Sequence, residues 1–408
     1  MRPNKCTSVI VSGLIVSGLM LSSCQSDLAM VADAAFRNAP GYPAAQRPDT
    51  DPPTGPSTPA DPAPLPTSPS VPPAQNVAEK PACDADVQSR LKAAGTAVVS
   101  LQCSVRLSSA DVVTHPIVFE GSAASGSVLD CGGGTLDVSA GASRKEKTAV
   151  VVRSRQTGSG SWDVPTNVTI RNCNIKGFAR IYGLGENADG ATMKASSRNP
   201  DHTAFAQASA PRNVRLENVT FTAPGGIPFY VGPGVTNTAL VNSRINGKST
   251  SVAVYLDAES ANNTISNNVF GITTEKRELI AVDGSANNRI TNNTFQHAEN
   301  GGIFLYRNCG EGGVIRHQKP QYNQITGNTF RFTSSFLAQP AVWLNSRNGN
   351  RSYCFKDPAY PFGSSASNLD FAQNNVVRNN RLEGGSESLI RNDDPTNDIG
   401  GNTSTGGW

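Results

Sequence analysis

Two aspartates close consecutive apolar runs in the second half of the chain. Asp257 follows residues 252–256, and Asp283 ends residues 279–283. If the runs are strands of neighbouring coils, their backbones lie about 4.8 Å apart. Carboxyl groups about 5 to 5.5 Å apart suit an acid and a nucleophile that cleave a glycosidic bond with retention, whereas an inverting pair needs more room for water. Both residues are also ordinary turn-formers, because Asp257 precedes Ala-Glu and Asp283 precedes Gly.

A second chemistry is proton abstraction next to the carboxylate of a uronic acid, as in a lyase or an epimerase. It requires a base and a cation or calcium ion that neutralises the substrate carboxylate. The residues that could supply the base or the positive charge are Tyr306, Arg307, His317, Lys319 and Arg347. Calcium is the only cofactor considered, and its ligands would be Asp257, Glu259 and Asp283. A lone loop histidine such as His317 is more often simply solvated.

Aromatic residues alternate with inward positions along the same apolar runs and should face outward. The outward set comprises Tyr230, Tyr255, Phe304 and Trp343, with Asp257, Asp283, Tyr306, Asn345 and Arg391 near the ends of the runs. Aromatic faces beside polar groups suit a polysaccharide, whose rings have apolar faces and polar edges. The predicted substrate-binding residues are Tyr230, Tyr255, Phe304, Trp343, Asn345, Lys319 and Arg347. Alternatively, the aromatic residues pack under long loops as a second small core.

Two long insertions follow consecutive runs and would wall one side of this surface. They span 307–321 and 346–373, and each contains one cysteine, Cys309 or Cys354. Charged residues in these insertions include Arg307, Glu311, Arg316, His317, Lys319, Arg347, Arg351 and Asp357. Insertions in repeat proteins collect on one face, which is often the binding face.

A phrase that recurs seven times between residues 167 and 382 predicts the elements that position these groups. It has an aliphatic residue, a spacer, usually Asn, two spacers, and then Phe, Ile or Leu. The copies begin at Ile170, Leu216, Leu240, Ile265, Ile290, Ile325 and Val377, and four successive starts are 24, 25 and 25 residues apart. A unit this short cannot bury its own apolar face, so the units must stack into a solenoid.

The apolar runs are rich in β-branched and aromatic residues and are bounded by Gly, Asn, Asp and Ser, which indicates strands. The repeated Asn, as in Asn267, is expected at a tight bend, where stacked amides would bond to one another. Over residues 105–400 the pattern resembles the right-handed parallel β-helix of the pectate-lyase-like superfamily, with its asparagine ladder. This resemblance implies an all-β solenoid and a polysaccharide substrate, but no particular reaction. The paired-Asp and Gly-His-Gly motifs of polygalacturonases and the Asp-Pro-His-Asp motif of alginate epimerases are absent.

Residues 84–95 have acids at the start, apolar residues at helical spacing and a terminal Gly, which predicts a short helix capping the first coil. Six cysteines follow Cys24, and an even set in an exported chain favours disulfides over a metal site. Proximity along a solenoid favours three pairs: Cys83 with Cys103, Cys131 with Cys173, and Cys309 with Cys354.

The N-terminus has a basic start and a short apolar core, which together indicate a secretory signal. Leu21-Ser-Ser-Cys24 resembles a bacterial lipobox, which implies cleavage before Cys24, a lipid on its thiol and, with Gln25, location at the outer membrane. Residues 40–81 contain 14 of the 27 prolines and should form an extended tether. The predicted organisation is a signal peptide (1–23), a lipidated N-terminus and tether (24–82) and a β-helix domain (83–408).

The charge balance excludes one class of partner. Without residues 1–23 the chain has 33 basic and 32 acidic residues, whereas a nucleic-acid binder should be plainly basic. The sequence predicts a lipid-anchored β-helix that binds a polysaccharide and cleaves or epimerises it as a lyase, epimerase or glycoside hydrolase. The alternatives are a non-catalytic polysaccharide-binding or export-assembly lipoprotein, and a structural surface protein or adhesin.

Overall fold

Three long parallel sheets form the walls of a solenoid, in which the chain passes through sheet 1, sheet 2 and sheet 3 in each coil. The computed structural model describes residues 78–158, 161–184, 190–308, 314–334, 337–349, 356–360, 363–364 and 366–406. The apolar residues of the repeated phrase pair in register from coil to coil, as in Leu240 with Ile265 and Ile265 with Ile290. This is the predicted right-handed parallel β-helix.

Sheet 1 has ten strands: Val99–Ser100, Ile117–Glu120, Thr148–Arg153, Phe178–Tyr182, Phe229–Val231, Val254–Leu256, Ile280–Asp283, Ile303–Tyr306, Val342–Leu344 and Ile390–Arg391. Sheet 2 also has ten: Val105–Arg106, Val128–Asp130, Thr169–Arg171, Arg215–Glu217, Ala239–Val241, Thr264–Ser266, Arg289–Thr291, Gln324–Thr326, Val376–Arg378 and Asp398–Gly400.

Sheet 3 has eleven strands: Val112–Val113, Thr135–Asp137, Asn174–Lys176, Thr220–Gly225, Arg244–Ser249, Val269–Phe270, Thr273–Thr274, Thr294–Phe295, Thr329–Arg331, Arg381–Glu383 and Thr403–Thr405. A small antiparallel pair, Arg155–Gly158 with Ser161–Asp163, lies outside the three sheets. Single 3₁₀ turns occur at Ser122–Ala124 and Glu387–Leu389.

Buried aliphatic and aromatic side chains fill the interior along the whole solenoid. Phe295 stacks between Phe270 and Phe330, with ring centroids 4.6 and 4.8 Å away. Equivalent positions of successive coils lie above one another, so the same residue type can fill the core in each coil.

The repeated Asn and the buried ladder occupy neighbouring positions, which corrects the sequence prediction. Asn267 is exposed and has a φ of 58°, so it makes the expected tight bend but does not line the interior. The next residue, Asn268, is buried and donates to Asn293 Oδ1 at 3.0 Å. The same bond continues through Asn328, Asn380 and Asn402.

A second ladder occupies the corner between sheets 1 and 2. Its members, Asn263, Asn288, Asn323, Asn375 and Asn397, are joined by amide bonds of 2.8 to 3.0 Å. In both ladders each side-chain oxygen also accepts the backbone N–H one coil before it, as Asn293 does from Asn268. Buried amides are satisfied in this way without solvent.

The N-terminal end is capped as predicted. Helix α1 (Ala85–Lys92) begins after Asp84, whose side chain accepts the Val87 N–H, and Leu91 is its buried residue. Disulfides join Cys83 to Cys103 and Cys131 to Cys173, which confirms two of the three predicted pairs. Cys309, Cys354 and Cys24 lie outside the described residues, as do the predicted signal peptide and most of the tether.

Besides the segment that holds the antiparallel pair, three longer insertions leave sheet 1 at the corner before sheet 2. They span 183–214, 307–323 and 345–375. The first contains two helices that the sequence analysis did not predict, α2 (Gly190–Ser196) and α3 (His202–Ser209). None of the described helices is long and apolar enough to cross a membrane.

Candidate functional site on the outer face of sheet 1

The outward residues of sheet 1 form one continuous row in register. Arg180 pairs with Tyr230 and Tyr230 with Tyr255, and the row continues through Ala281, Phe304, Trp343 and Arg391. The Tyr230 and Tyr255 rings lie 5.8 Å apart, and the Phe304 and Trp343 rings meet edge to face at 5.5 Å. The predicted aromatic row is therefore present on one face.

Part of this row is buried, in agreement with the alternative of a second small core. Phe304 and Tyr306 pack with Val252 and Ala281, and Phe304 is only 8% exposed. Tyr230, Tyr255 and Trp343 remain partly accessible. The accessible aromatic surface thus consists of two separated parts, a tyrosine pair and a tryptophan.

Each tyrosine of the pair donates a hydrogen bond to the aspartate of the next coil. Tyr230 donates to Asp257 Oδ2 and Tyr255 to Asp283 Oδ2, both at 2.6 Å. The two acids follow Leu256 and Val282, which are register partners. Asp257 and Asp283 consequently lie side by side on neighbouring coils, as the sequence predicts. We call Tyr230, Tyr255, Asp257, Asp283 and Arg316 the Tyr–Asp patch.

Arg316 reaches the patch from the second insertion. Its Nη1 lies 2.9 Å from Asp257 Oδ1, and both side chains are 13% exposed. Burial opposes the charge of Arg316, but the carboxylates of Asp257 and Asp283 outweigh it and raise its pKa. The guanidinium therefore stays protonated and cannot serve as a base. Its Nε is buried and has no partner among the described residues.

Asp283 accepts hydrogen bonds on both oxygens. Besides Tyr255, the backbone N–H of Asn308 donates to its Oδ1 at 2.5 Å. Burial, and then the nearby Asp283 carboxylate, raise the pKa of Tyr255 well above 10. Tyr255 is therefore a neutral hydrogen-bond donor at any physiological pH.

Tyr306, a predicted catalytic residue, is fully buried at the edge of the patch. Its hydroxyl accepts from Arg277 at 3.0 Å and donates to Glu278 at 3.2 Å, and the Arg347 guanidinium lies 3.9 Å above its ring. Burial raises its pKa well above 10. Although burial also opposes ionisation of Glu278, the charge of Arg277 lowers the Glu278 pKa.

Arg307 lies under the loops and joins the two insertions. It is 1% exposed and donates to the carbonyls of Ser364, Ser367 and Leu369 at 2.8 to 3.3 Å. The backbone N–H of Arg316 also donates to Gly363 O at 3.0 Å. These contacts make a wall, as predicted, but they bury the Arg307 guanidinium within it.

His317 points away from the patch, into a cluster beneath the helical insertion. Its Nε2 lies 2.8 Å from Ser197 O, and its ring lies between those of His202 and Tyr360. His202 is fully buried, and burial, followed by the charges of His317 and Arg316, lowers its pKa to about 3. The structure thus separates His317 from the acids with which the sequence analysis grouped it.

Glu259 fixes the segment that presents Arg316. Its carboxylate accepts from the backbone N–H groups of His317 at 2.7 Å and Gln318 at 3.0 Å, and from the Thr203 hydroxyl of α3 at 2.5 Å. Burial raises its pKa, and these hydrogen bonds oppose the shift. On the other side of Arg316, Ser197 Oγ accepts the Ile315 N–H.

The remaining predicted substrate-binding residues contact other residues of the protein. Asn345 is buried and bonds to the backbone of Ala372 on both amide atoms. Lys319 lies over the Phe371 ring at 4.9 Å. Arg347 donates to Asn308 Oδ1 at 3.3 Å and its N–H to Asp370 at 2.7 Å. All three lie in the insertions that wall the face.

Comparison with known proteins supports the fold. A family model described as a right-handed beta helix region matches residues 158–334. The chain folds as a right-handed parallel β-helix. No curated protein sequence matches it.

Among solved structures, similarity extends to an alginate lyase from Paenibacillus sp. str. FPU-7. That match has 13% identity and a TM-score of 0.32, and covers 77% of this chain and 94% of the lyase. The A-module of a mannuronan C-5 epimerase from Azotobacter vinelandii matches at 14% identity and a TM-score of 0.32, over 78% of this chain and 93% of the module. Similarity this distant does not indicate a shared activity.

The β-helix protein shows no cluster of three or more His, Cys, Asp or Glu side chains suited to a metal ion within the described ranges. Asp257, Glu259 and Asp283, the residues considered for calcium, all have protein donors on their carboxylates. Calcium binding at these three acids stays an untested prediction.

Arg316 and Glu259 are the residues whose roles the sequence did not reveal. Arg316 is one of many charged residues in the insertions, and the sequence predicts Glu259 only as a calcium ligand. Their contacts join positions 58 or 59 residues apart in the chain, and nothing in the local sequence specifies such pairs. The sequence places Arg316 in an insertion but gives no sign of which coil residue it contacts.

Proposed function

We propose that the Tyr–Asp patch binds a polysaccharide and hydrolyses one of its glycosidic bonds. The observation that supports this most directly is the pair Asp257 and Asp283, held side by side on adjacent coils by the tyrosines of the preceding coils. Paired carboxylates beside accessible aromatic rings are the groups that glycoside hydrolysis uses.

The partners of the two acids suggest their roles. Asp257 forms an ion pair with Arg316, so it suits the carboxylate that acts as nucleophile or base. Asp283 has neutral donors, Tyr255 and the Asn308 N–H, so it suits the acid that protonates the leaving oxygen. Neighbouring parallel strands are about 4.8 Å apart, which favours the closely spaced pair of a retaining enzyme.

Elimination or epimerisation of a uronic acid is less well supported by the described residues. Such a reaction needs a base beside the sugar, yet Tyr255 and Tyr306 have raised pKa values and Arg316 stays protonated. His317 bonds to Ser197 O away from the acids. The other predicted bases, Arg307, Lys319 and Arg347, contact the loop carbonyls, the Phe371 ring and the Tyr306 ring. The patch therefore favours hydrolysis over elimination.

A non-catalytic polysaccharide-binding protein is the second candidate. One observation favours it: both oxygens of Asp257 and of Asp283 already accept hydrogen bonds from protein donors. Groups satisfied in this way could preserve the shape of a binding surface without taking part in proton transfer.

The test is incubation of the full-length protein with a panel of acidic and neutral polysaccharides, with reducing ends and unsaturated-uronate absorbance measured together. Hydrolysis predicts new reducing ends without absorbance, and elimination would give both. Asp257→Asn and Asp283→Asn should each lower turnover by about 10² or more. Binding without products from any polymer would refute the catalytic proposal and favour the second candidate.

Asp130→Asn is a matched control for these variants. Asp130 also pairs with an arginine, Arg171, at 2.8 Å, and its side chain is 15% exposed, but it lies on sheet 2. Turnover by this variant should equal that of the wild type. A comparable loss in all three variants would indicate that ion pairs of the scaffold, rather than the patch, determine activity.

We also propose that Cys24 bears a lipid that anchors the protein to the outer membrane. The support is the sequence Leu21-Ser-Ser-Cys24 after a short apolar core. A multiply acylated N-terminus binds membranes firmly, whereas one acyl chain binds reversibly. Cys24→Ser should move the protein to the soluble fraction after a high-salt wash, and retention with membranes would refute the anchor.

A further inference from the structure

The C-terminal end of the outward row has an arginine, Arg391, that stacks on an aromatic ring. Arg391 follows Trp343 in register on sheet 1, and its guanidinium lies 4.8 Å from the centre of the Trp343 ring. No carboxylate in the part of the chain that the structure describes lies within ion-pair distance of it. Three exposed arginines of the last coils differ, since Arg331, Arg378 and Arg381 all pair with acids.

The aromatic contacts hold this arginine in place. Trp343 is itself fixed by Phe304, whose ring meets it edge to face at 5.5 Å. A guanidinium stacked on a ring loses part of its rotational freedom before any ligand arrives. It still presents its N–H donors as a planar fork, which matches the two oxygens of a carboxylate or a sulfate.

We propose that Trp343 and Arg391 form a subsite for an anionic sugar unit, carboxylated or sulfated, and that the polysaccharide substrate is therefore acidic. This inference rests on the proposed function, because it assumes that the polymer runs along the outward row of sheet 1. The Ile280–Asp283 and Ile390–Arg391 strands are three steps apart, or about 14 Å at about 4.8 Å a step. A subsite at that distance contributes to binding and does not touch the reacting bond.

The test measures binding by affinity electrophoresis with the full-length Asp283→Asn protein, so that polymers are not degraded. Alginate, polygalacturonate and chondroitin sulfate provide the anionic arm, and dextran and galactomannan the neutral arm. The subsite predicts retardation by at least one anionic polymer, weakened about tenfold by Arg391→Gln, less by Arg391→Lys and by about threefold by Trp343→Leu. Arg244→Gln, which removes an exposed arginine from sheet 3, should leave affinity unchanged.

The outcomes separate this inference from the proposed function. Equal binding by Arg391→Gln, or retardation by neutral polymers alone, would overturn the anionic subsite while leaving hydrolysis at the Tyr–Asp patch intact. An equal loss in Arg391→Gln and Arg244→Gln would show a general charge effect and would also overturn it. No binding to any polymer would refute both proposals.

Discussion

Two sets of hydrogen bonds run from coil to coil in this β-helix, and they differ in composition. The asparagine ladders repeat one neutral side chain at every level, as from Asn268 to Asn293 and on to Asn328. The Tyr–Asp patch has different residue types on each coil and recruits Arg316 from 59 residues away. Ladder bonds satisfy buried amides inside the solenoid, whereas the patch brings charged groups together on the outer face, where Asp283 is fully buried and Asp257 and Arg316 are 13% exposed.

This difference separates stability from chemistry. A ladder amide has no ionisable group, and its bonds are repeated by its neighbours, so its removal should affect folding alone. The patch occurs once, is ionisable and is held by insertions outside the coil. Substitutions there should change activity more than folding, because the patch lies outside the packed interior that successive coils share.

The largest contrast is expected from arginine variants at two ion pairs of similar length, 2.9 Å for Arg316 with Asp257 and 2.8 Å for Arg171 with Asp130. Arg316→Gln removes the charge beside Asp257 and should lower turnover by about 10² to 10³, the usual effect of losing one preorganised electrostatic contact. Arg171→Gln breaks the similar pair with Asp130 on sheet 2 and should leave turnover unchanged. Steady-state kinetics on the polymer identified in the panel would check both, and equal losses would contradict a special role for the patch.

The ladder prediction concerns stability. Asn293→Leu leaves the Asn268 N–H and the Asn328 oxygen without the partners they have now, which should cost roughly 1 to 3 kcal/mol of unfolding free energy. Asn292→Gly changes the exposed bend, where a φ of 56° suits glycine, and should be close to neutral. Denaturant unfolding of both variants would show whether the ladder lies at position 293. A larger loss of unfolding free energy in Asn292→Gly than in Asn293→Leu would contradict this position.

Glu259→Gln should lower activity by displacing Arg316 rather than by removing a contact with the substrate. The carboxylate orders the backbone at His317 and Gln318, so its loss should lower turnover about tenfold through misplacement of Arg316, with thermal stability at neutral pH unchanged or increased. Glu259→Asp should recover part of the activity. An unchanged rate in Glu259→Gln would show that the segment is held by Ser197 and its other contacts alone.

The same variant tests a pH effect of defined sign. Burial raises the pKa of Glu259 above 4.5, so the folded protein retains a proton that the unfolded chain releases. The resulting stabilisation is present below about pH 4.5 and is lost as the pH rises through the folded pKa. Wild-type stability should therefore fall relative to Glu259→Gln over that range. Denaturant unfolding at several pH values would check this, and a difference independent of pH would contradict the shift.

The smallest effect is expected from Tyr230→Phe. This change removes one of the hydrogen bonds to Asp257 and keeps the aromatic ring, so turnover should fall by roughly two- to tenfold, the equivalent of a net hydrogen bond of about 0.5 to 1.5 kcal/mol. Tyr182→Phe, at the neighbouring ring, serves as the control. A loss as large as that of Arg316→Gln would mean that the Tyr230 hydroxyl takes part in proton transfer.

Most of the fold follows from the sequence because the repeat is local and each copy reinforces the next. Ile265, Ile290 and Ile325 define the register directly. The ladder was placed one residue too early because Asn267 and Asn268 share a residue type, and only backbone conformation distinguishes the exposed bend from the buried amide. The doublets Asn262-Asn263 and Asn267-Asn268, five residues apart, were the overlooked sign of two ladders.

The site could be predicted only where it follows the repeat. Tyr255, Asp257 and Asp283 belong to coils, so alternation placed them on the outer face. Arg316, His317 and Arg307 belong to insertions, whose course depends on tertiary contacts such as those of Glu259 and Ser364. For that reason the sequence predicts the surface correctly but assigns His317 and Arg307 to the reacting groups, whereas the structure places both away from the acids.

The most direct test of the central claim is a crystal structure of Asp283→Asn with an oligosaccharide from the identified polymer. We expect a sugar ring over the Tyr230 and Tyr255 side chains, with a glycosidic oxygen within hydrogen-bond distance of residue 283. The oligosaccharide should continue toward Trp343. An oligosaccharide bound to sheet 2 or sheet 3, or one that leaves the Tyr–Asp patch uncovered, would contradict it.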